Sequence, residues 1–209
     1  MFENIYCDIR DCYKDCSLFA KIFIYARCLI APFEKIIKYI PEKGIIVDIG
    51  CGYGMFANYI STKRKNCKIV GIDFNDKRIA ENKKSITNRE NIDFFCCDVK
   101  DLELTNCDVI CIIDLMHHID FEKQKQLLEE CYKKLSKGGL LIFKEIDTTP
   151  KWMYYCNILH DSIMDFGNKL HFRNSDEYKK LICERGFKFK QKEIMHKTYL
   201  SHYLMIFEV

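Results

Sequence analysis

The chain has 209 residues, 48% hydrophobic and 30% charged, which is enough for one globular domain with a proper core. Its formal net charge is +3, from 33 Lys+Arg against 30 Asp+Glu, without the clustered excess of base that marks a nucleic-acid binder. The longest apolar stretch, Ile22 to Phe33, is broken by Arg27 and falls short of the ~18 residues of a membrane span, so stable membrane insertion is not expected.

Thirteen cysteines are scattered along the chain. Phe2, Glu3 and Asn4 precede mixed polar residues where an export leader would carry a basic and then an apolar run. A reducing cytoplasmic setting with free thiols is therefore expected. Cys96, Cys107 and Cys111 lie in apolar strands, where Cys acts as a small hydrophobe. Cys7, Cys12 and Cys16 match no zinc spacing, and no metal is expected.

In chain order, Leu18 to Phe33 is apolar almost all round and reads as a helix, covering a site or lying on a membrane surface. The cover is the preferred reading, within an N-terminal helical segment over 1–40. From Gly44 onward, short β-branched runs alternate with amphipathic helical stretches. Strands are predicted at Ile45 to Ile49, Lys68 to Asp73, Ile92 to Cys97, Asp108 to Asp114 and Leu140 to Ile146. Helices are predicted at Met55 to Thr62, Asp76 to Ile86 and Phe121 to Leu135, the last broken by Gly138-Gly139. A helix from Asp176 to Glu184, ended by Gly186, and two antiparallel strands, Phe187 to Ile194 and His202 to Val209, complete the chain. Strands buried on both faces and separated by helices make a doubly wound, Rossmann-like α/β sheet. Such sheets bind ligands beyond the carboxyl ends of their strands.

The first strand runs into Asp48-Ile49-Gly50-Cys51-Gly52-Tyr53-Gly54. Glycines at every second position allow a sharp turn and the close approach of a ligand. A P-loop is excluded, since no Gly-Lys-Ser/Thr follows. The nicotinamide spacing fails too, because the third glycine comes one residue early and Met55 takes its place. Asp73, nineteen residues on from Gly54, suits both hydroxyls of a ribose. Its plainer role, a helix N-cap, is open to Asn75 or Asp76 instead. Asp98 and Val99 offer a carboxylate and a backbone N–H to an adenine, or a plain turn. Asp114-Leu115-Met116-His117-His118-Ile119 ends the fourth strand, beside the glycine loop.

Together these motifs resemble the class I S-adenosylmethionine-dependent methyltransferases, over roughly Pro41 to Asp147. Val47 to Gly54 resembles their first motif and Asp114 to Ile119 their fourth. Asp73 and Asp98 match the positions that end the second and third strands, and Ser136 to Gly139 matches the turn before the fifth strand. The resemblance implies a seven-stranded, mostly parallel sheet of order 3-2-1-4-5-7-6 with strand 7 antiparallel. It implies S-adenosylmethionine as cofactor, held by Asp48, Gly50, Cys51, Gly52, Gly54, Asp73, Phe74, Asp98, Val99, Asp114 and Leu115. Lys144 to Asp147, with Pro150 to Trp152 and Asn157 to Met164, is loosely similar to a bacterial subgroup that acts on small molecules.

A methyl group on a sulfonium needs a nucleophile in line behind it and exclusion of water. A general base helps a hydroxyl or a protonated amine. The candidates are His118, His117 and Glu145. Residues 148–175 are expected to form a helical lid insertion. Trp152, Tyr155 and, flanking them, His160 line its pocket side, and Arg173 is placed to meet an anionic group. The acceptor is expected to be a small molecule, aromatic or lipid-like. The fourth motif lacks the Asn/Asp-Pro-Pro-Tyr/Phe signature of nucleic-acid amino methylation. Two rivals remain: a non-catalytic binding module, and a nicotinamide oxidoreductase. The oxidoreductase's Tyr-x-x-x-Lys pair occurs here only as Tyr59 and Lys63, too early in the chain to serve.

Overall fold

The computed structural model describes residues 2–87, 89–155, 170–195 and 201–209. Seven strands form one sheet: β1 (Lys43–Ile49), β2 (Asn66–Asp73), β3 (Ile92–Cys96), β4 (Cys107–Ile113), β5 (Leu135–Ile146), β6 (Lys188–Ile194) and β7 (His202–Glu208). Their order is β3-β2-β1-β4-β5-β7-β6, with β7 antiparallel to both its neighbours. The expected topology is thus the observed one.

Alternation along the strands explains both layers of the core. Ile46, Ile69, Cys111 and Ile142 point to one face, under α1 (Phe2–Ile9), α2 (Leu18–Ile30) and α4 (Met55–Lys63). A short helix, α3 (Phe33–Ile36), joins α2 to the sheet. Val47, Val70, Ile110 and Leu141 point to the other face, under α6 (Phe121–Lys134) and α7 (Ser175–Cys183). Between them in sequence, α5 (Asp76–Ser85) packs Ile79 with the first face. Helix starts follow from capping side chains. Asn75 caps α5, Asp120 caps α6, and Asn174 with Glu177 forms a capping box on α7. Because Asn75 takes the cap on α5, Asp73 is left for other work.

Two expectations need correction. The fifth strand begins at Leu135, before the glycine pair, because Leu135 already pairs with Cys107 and a bulge there absorbs the extra residues. Gly138 and Gly139 are held to the end of β7 through Val209. Cys96 is exposed and is no small core hydrophobe, unlike Cys107 and Cys111; its Sγ lies 3.4 Å from the Phe74 carbonyl. The helix expected from Leu18 to Phe33 ends at Ile30, because Ala31 before Pro32 is extended; other predicted boundaries differ by one or two residues, as fraying ends do. No helix among the described residues is long and apolar enough to cross a membrane.

The N-terminal helices lie over the glycine loop. Asn58 donates to the Tyr13 hydroxyl at 2.7 Å, and that hydroxyl donates to the Tyr53 carbonyl at 2.9 Å. Phe23 of α2 packs on the Tyr53 ring, 5.0 Å between centroids. One side of α2 is buried through Ala20, Ile24 and Cys28, while Leu18, Phe19, Ile22 and Tyr25 face outward.

Candidate active site

All three loop glycines have positive φ, from 55° to 70°, the region that disfavours a side chain. A Cβ on Gly50 would stand 2.6 Å from Leu115, and one on Gly54 2.6 Å from Phe94, whereas one on Gly52 would meet nothing within 4 Å. Two glycines therefore serve close packing, and the middle one borders open space. Asn82 of α5, fully buried, donates to the Gly52 carbonyl at 2.8 Å. Its Oδ1 has no hydrogen-bond partner among the described residues. Sequence reading missed Asn82; its signal is the spacing Ile79, Asn82, Ser85 along the buried face of α5.

Asp73 accepts from the Gly52 N–H and from the Asn75 N–H, both at 2.9 Å, so it joins the glycine loop to the turn after β2. Phe74 beside it is 74% exposed, an apolar ring left facing outward. Asp98 accepts from the Lys100 N–H at 3.1 Å, which is the turn role, and Val99 is buried. Asp48 lies beneath the loop. Burial pushes its carboxyl up to about 7, Asp73 adds to the effect, and the Ala57 N–H opposes it.

At the tip of β4, Asp114 adopts φ 51°, which Asp tolerates better than most residues. Lys144 of β5 donates to its two oxygens at 2.5 and 2.7 Å. Arg27 of α2 donates to Oδ2. His202 of β7 stands 3.7 Å from Oδ1. Burial alone would raise the Asp114 carboxyl, but Lys144, His202 and Arg27 hold it well below the carboxylate range. Burial, with Lys144, pushes His202 well below its usual range, so it is neutral near pH 7. Sequence reading singled out none of Arg27, Lys144 and His202 as site residues. A charged residue inside an apolar strand or helix is the signal that marks the first two.

His117 and Glu145 come together, Nδ1 to Oε1 at 2.6 Å, each side chain 1% exposed. Glu145 also accepts from the His117 N–H at 3.2 Å and the Ile146 N–H at 2.9 Å. This pair braces the turn after β4. His118 is half-buried and its ring lies against that of His117, tilted by 45° with 4.0 Å between centroids. The turn is stitched to the start of α7. His171 N–H donates to the His117 carbonyl at 2.7 Å, and Gln124 donates to the carbonyls of Met116, Ile119 and His171. Arg173 donates to Gln124 and lies 4.4 Å above the Phe121 ring; those contacts occupy it here. Residues 151–155 are helical. Met153 is the inward side chain there, and Tyr154 meets Phe172, whereas Trp152 and Tyr155 are 59% and 64% exposed. His160 lies outside the described residues.

The open space at Gly52, the unmet Asn82 oxygen and the Asp73 carboxylate suit a nucleoside cofactor laid across these strand tips. Comparison with known proteins points the same way. A family described as a methyltransferase domain matches residues 46–139. The carboxy-S-adenosyl-L-methionine synthases of Shewanella halifaxensis and Campylobacter jejuni are each 30% identical, over 115 and 110 residues. Both alignments cover 52% of this chain and 46% of the relative, so the chain spans about half the length of these curated relatives. Among solved structures, human N-acetylserotonin methyltransferase with S-adenosylmethionine superposes with a TM-score of 0.69 at 19% identity, covering 99% of this chain and 58% of that one. Magnesium protoporphyrin IX methyltransferase from Synechocystis, with bound adenosylhomocysteine, gives 0.68 at 14% identity, covering 97% and 93%. At these identities the likeness establishes the fold.

Three outcomes follow from this geometry. Gly52→Ala is expected to lose only the left-handed penalty of about 1–2 kcal/mol, while Gly50→Ala and Gly54→Ala lose more, a ranking that urea unfolding reads directly. Lys144→Ala, which removes the main partner of a buried carboxylate, is expected to cost about 3 kcal/mol by the same measurement. Asp48 binds its proton more tightly folded than unfolded. Its contribution is full below the ordinary value of 3.8 and is lost as pH rises through about 7. Buried His202 acts in the opposite sense as pH rises toward 6.5, so the expected readout is the difference: between about pH 4 and about pH 8 wild type should lose stability relative to Asp48→Asn, measured by urea unfolding of both.

Proposed function

We propose that this chain, whose residues 46–139 match a family described as a methyltransferase domain, belongs to the class I S-adenosylmethionine-dependent methyltransferases and transfers a methyl group from S-adenosylmethionine to a small-molecule acceptor. The observation that supports the reading is the Gly52 N–H on the Asp73 carboxylate at 2.9 Å, beside the open space at Gly52. S-adenosylmethionine, when bound, supplies an electrophilic methyl group on a sulfonium.

The chain's own residues do the rest. The Gly52 backbone lets the cofactor approach, and Asp73 has further acceptor capacity for ribose hydroxyls. Phe74 offers an apolar face, and Asp98 with Val99 closes the adenine end. Leu115 and Asp114 wall the methionyl end, where α2 shuts out water through Tyr53 and Arg27. His118, half-buried at the tip of β4, is the first choice for a base. His117 and Glu145 act through the turn that carries it, because each is spent on the other. Trp152 and Tyr155 stand ready at the outer rim for an apolar acceptor. The chain works in the cytoplasm.

A second reading comes from the two relatives named carboxy-S-adenosyl-L-methionine synthase: the sulfonium methyl carbon loses a proton to a base and forms a bond to a carboxyl group given up, as carbon dioxide, by a carboxylic-acid co-substrate, so that S-adenosylmethionine leaves in its carboxylated form. The two cations on Asp114 favour it over a wholly apolar acceptor site.

Isothermal titration with adenosylhomocysteine is expected to show binding, weakened about tenfold or more in Asp73→Ala. Incubation of the protein with methyl-labelled S-adenosylmethionine and cell extract should then move label to a small molecule. Mass spectrometry of the nucleosides separates the readings, by adenosylhomocysteine or by carboxylated S-adenosylmethionine as product. Binding of NADH in preference to adenosylhomocysteine would overturn both.

A further inference from the structure

The glycine loop is held from behind by a connected set of hydrogen bonds that begins outside the sheet. Tyr13 ends a short 3-10 helix, Arg10–Tyr13, forty residues before the loop residue it meets. Its side chain is buried, and burial pushes the phenol well above its usual range, so the proton stays on the oxygen. That proton goes to the Tyr53 carbonyl at 2.9 Å. From the other side the hydroxyl accepts from Asn58 Nδ2 at 2.7 Å. The same nitrogen donates to Ser85 Oγ at 2.9 Å, and Ser85 passes its own proton to the Asn82 carbonyl at 2.7 Å. Asn82 is the residue whose side-chain amide holds the Gly52 carbonyl. Two successive carbonyls of the loop, those of Gly52 and Tyr53, thus hang from two branches of one chain centred on Asn58.

Arg89 decides which way that chain runs. Its Nη2 donates to Asn58 Oδ1, and its Nη1 donates to Ser61 Oγ at 3.1 Å. A guanidinium has no acceptor, so only the oxygen of the Asn58 amide can face it. The nitrogen must then face Tyr13 and Ser85. It offers a proton to both hydroxyls, and each, with one proton of its own, is left to donate onward. With the amide turned over, the Tyr13 proton would go to Oδ1 and the Tyr53 carbonyl would lose its donor. The peptide that carries this carbonyl has its N–H, that of Gly54, on the Cys51 carbonyl at 2.8 Å. A peptide is planar, so holding both its ends fixes its plane. Without the Tyr13 proton that plane is free to rotate, and a ligand must reorder the loop as it binds.

We propose that Tyr13 and Arg89 are positioning residues for the cofactor loop: Arg89 sets the Asn58 amide, and Tyr13 carries that setting to the Tyr53 carbonyl. The proposal rests on the S-adenosylmethionine reading above for the identity of the ligand, and on the hydrogen bonds alone for the state of the loop. Tyr13 lies outside residues 46–139, the part that matches a methyltransferase domain. The loop is therefore completed by a segment that the matched domain does not include.

Isothermal titration with adenosylhomocysteine tests it in Tyr13→Phe, Arg89→Met and the double variant, with Ser61→Ala as control. Tyr13→Phe keeps the buried ring and is expected to weaken binding about fivefold or more. Arg89→Met weakens it by no more than that, and the double variant is no weaker than Tyr13→Phe, since both act through one bond. Ser61→Ala, which removes the other Arg89 contact, leaves affinity unchanged. Amide hydrogen exchange reads the loop without ligand. The Gly52 and Gly54 amides, both hydrogen-bonded in the loop, should exchange faster relative to those of β4 in Tyr13→Phe and in Arg89→Met. Arg89→Met, on a half-buried residue, serves where the Phe variant fails to fold. A purely structural role predicts equal acceleration in the loop and in β4, with affinity unchanged; that result overturns the proposal, as do additive losses in the double variant. If wild type binds no adenosylhomocysteine, the S-adenosylmethionine reading falls, and the exchange of the two loop amides by itself upholds or overturns the positioning.

Discussion

One buried carboxylate ties the active end of this molecule together. Asp114 ends β4 in a left-handed conformation and receives Lys144 from β5 and Arg27 from α2, with His202 of β7 close by. Four elements that are distant in sequence meet there. An ion in the interior is tolerated only with good geometry and paired charge, so the cluster constrains where each element ends. It fixes the level at which β4 stops and the turn toward His117 begins. It also ties α2 to the tip of β4 through Arg27.

The glycine loop is constrained from the opposite side. Phe94 of β3 packs so closely on Gly54 and Gly71 that neither position has room for a methyl group. Asn82 then fixes the Gly52 carbonyl, and Asp73 fixes its N–H. The loop is thus shaped before any ligand arrives, which lowers the ordering cost of binding. Gly52 faces open space only because its neighbours on either side are tightly packed.

Much of this was legible in the sequence. The alternation of β-branched runs with amphipathic stretches specified the sheet, and the pattern Asp48 to Gly54 followed by Asp73 marked the glycine loop and the carboxylate that meets it. Local spacing suffices for both, since strand period and turn chemistry are properties of a few neighbouring residues. The start of β5 was not legible, because Leu135 becomes a strand residue only by pairing with Cys107. The mutual engagement of His117 with Glu145 was equally hidden. Two plausible bases, twenty-eight residues apart, each read as available when taken alone.

By itself, then, the sequence determined the class of fold and the cofactor-facing loop, because each is written in residues that are near neighbours along the chain. Tertiary structure decided which charged groups meet. Arg27 read as an interruption in an apolar helix, and Lys144 as part of a strand-end motif. Only the crossing of α2 over the sheet makes them partners of Asp114, since Coulomb forces act through distance in space and leave no periodic trace in the order of residues.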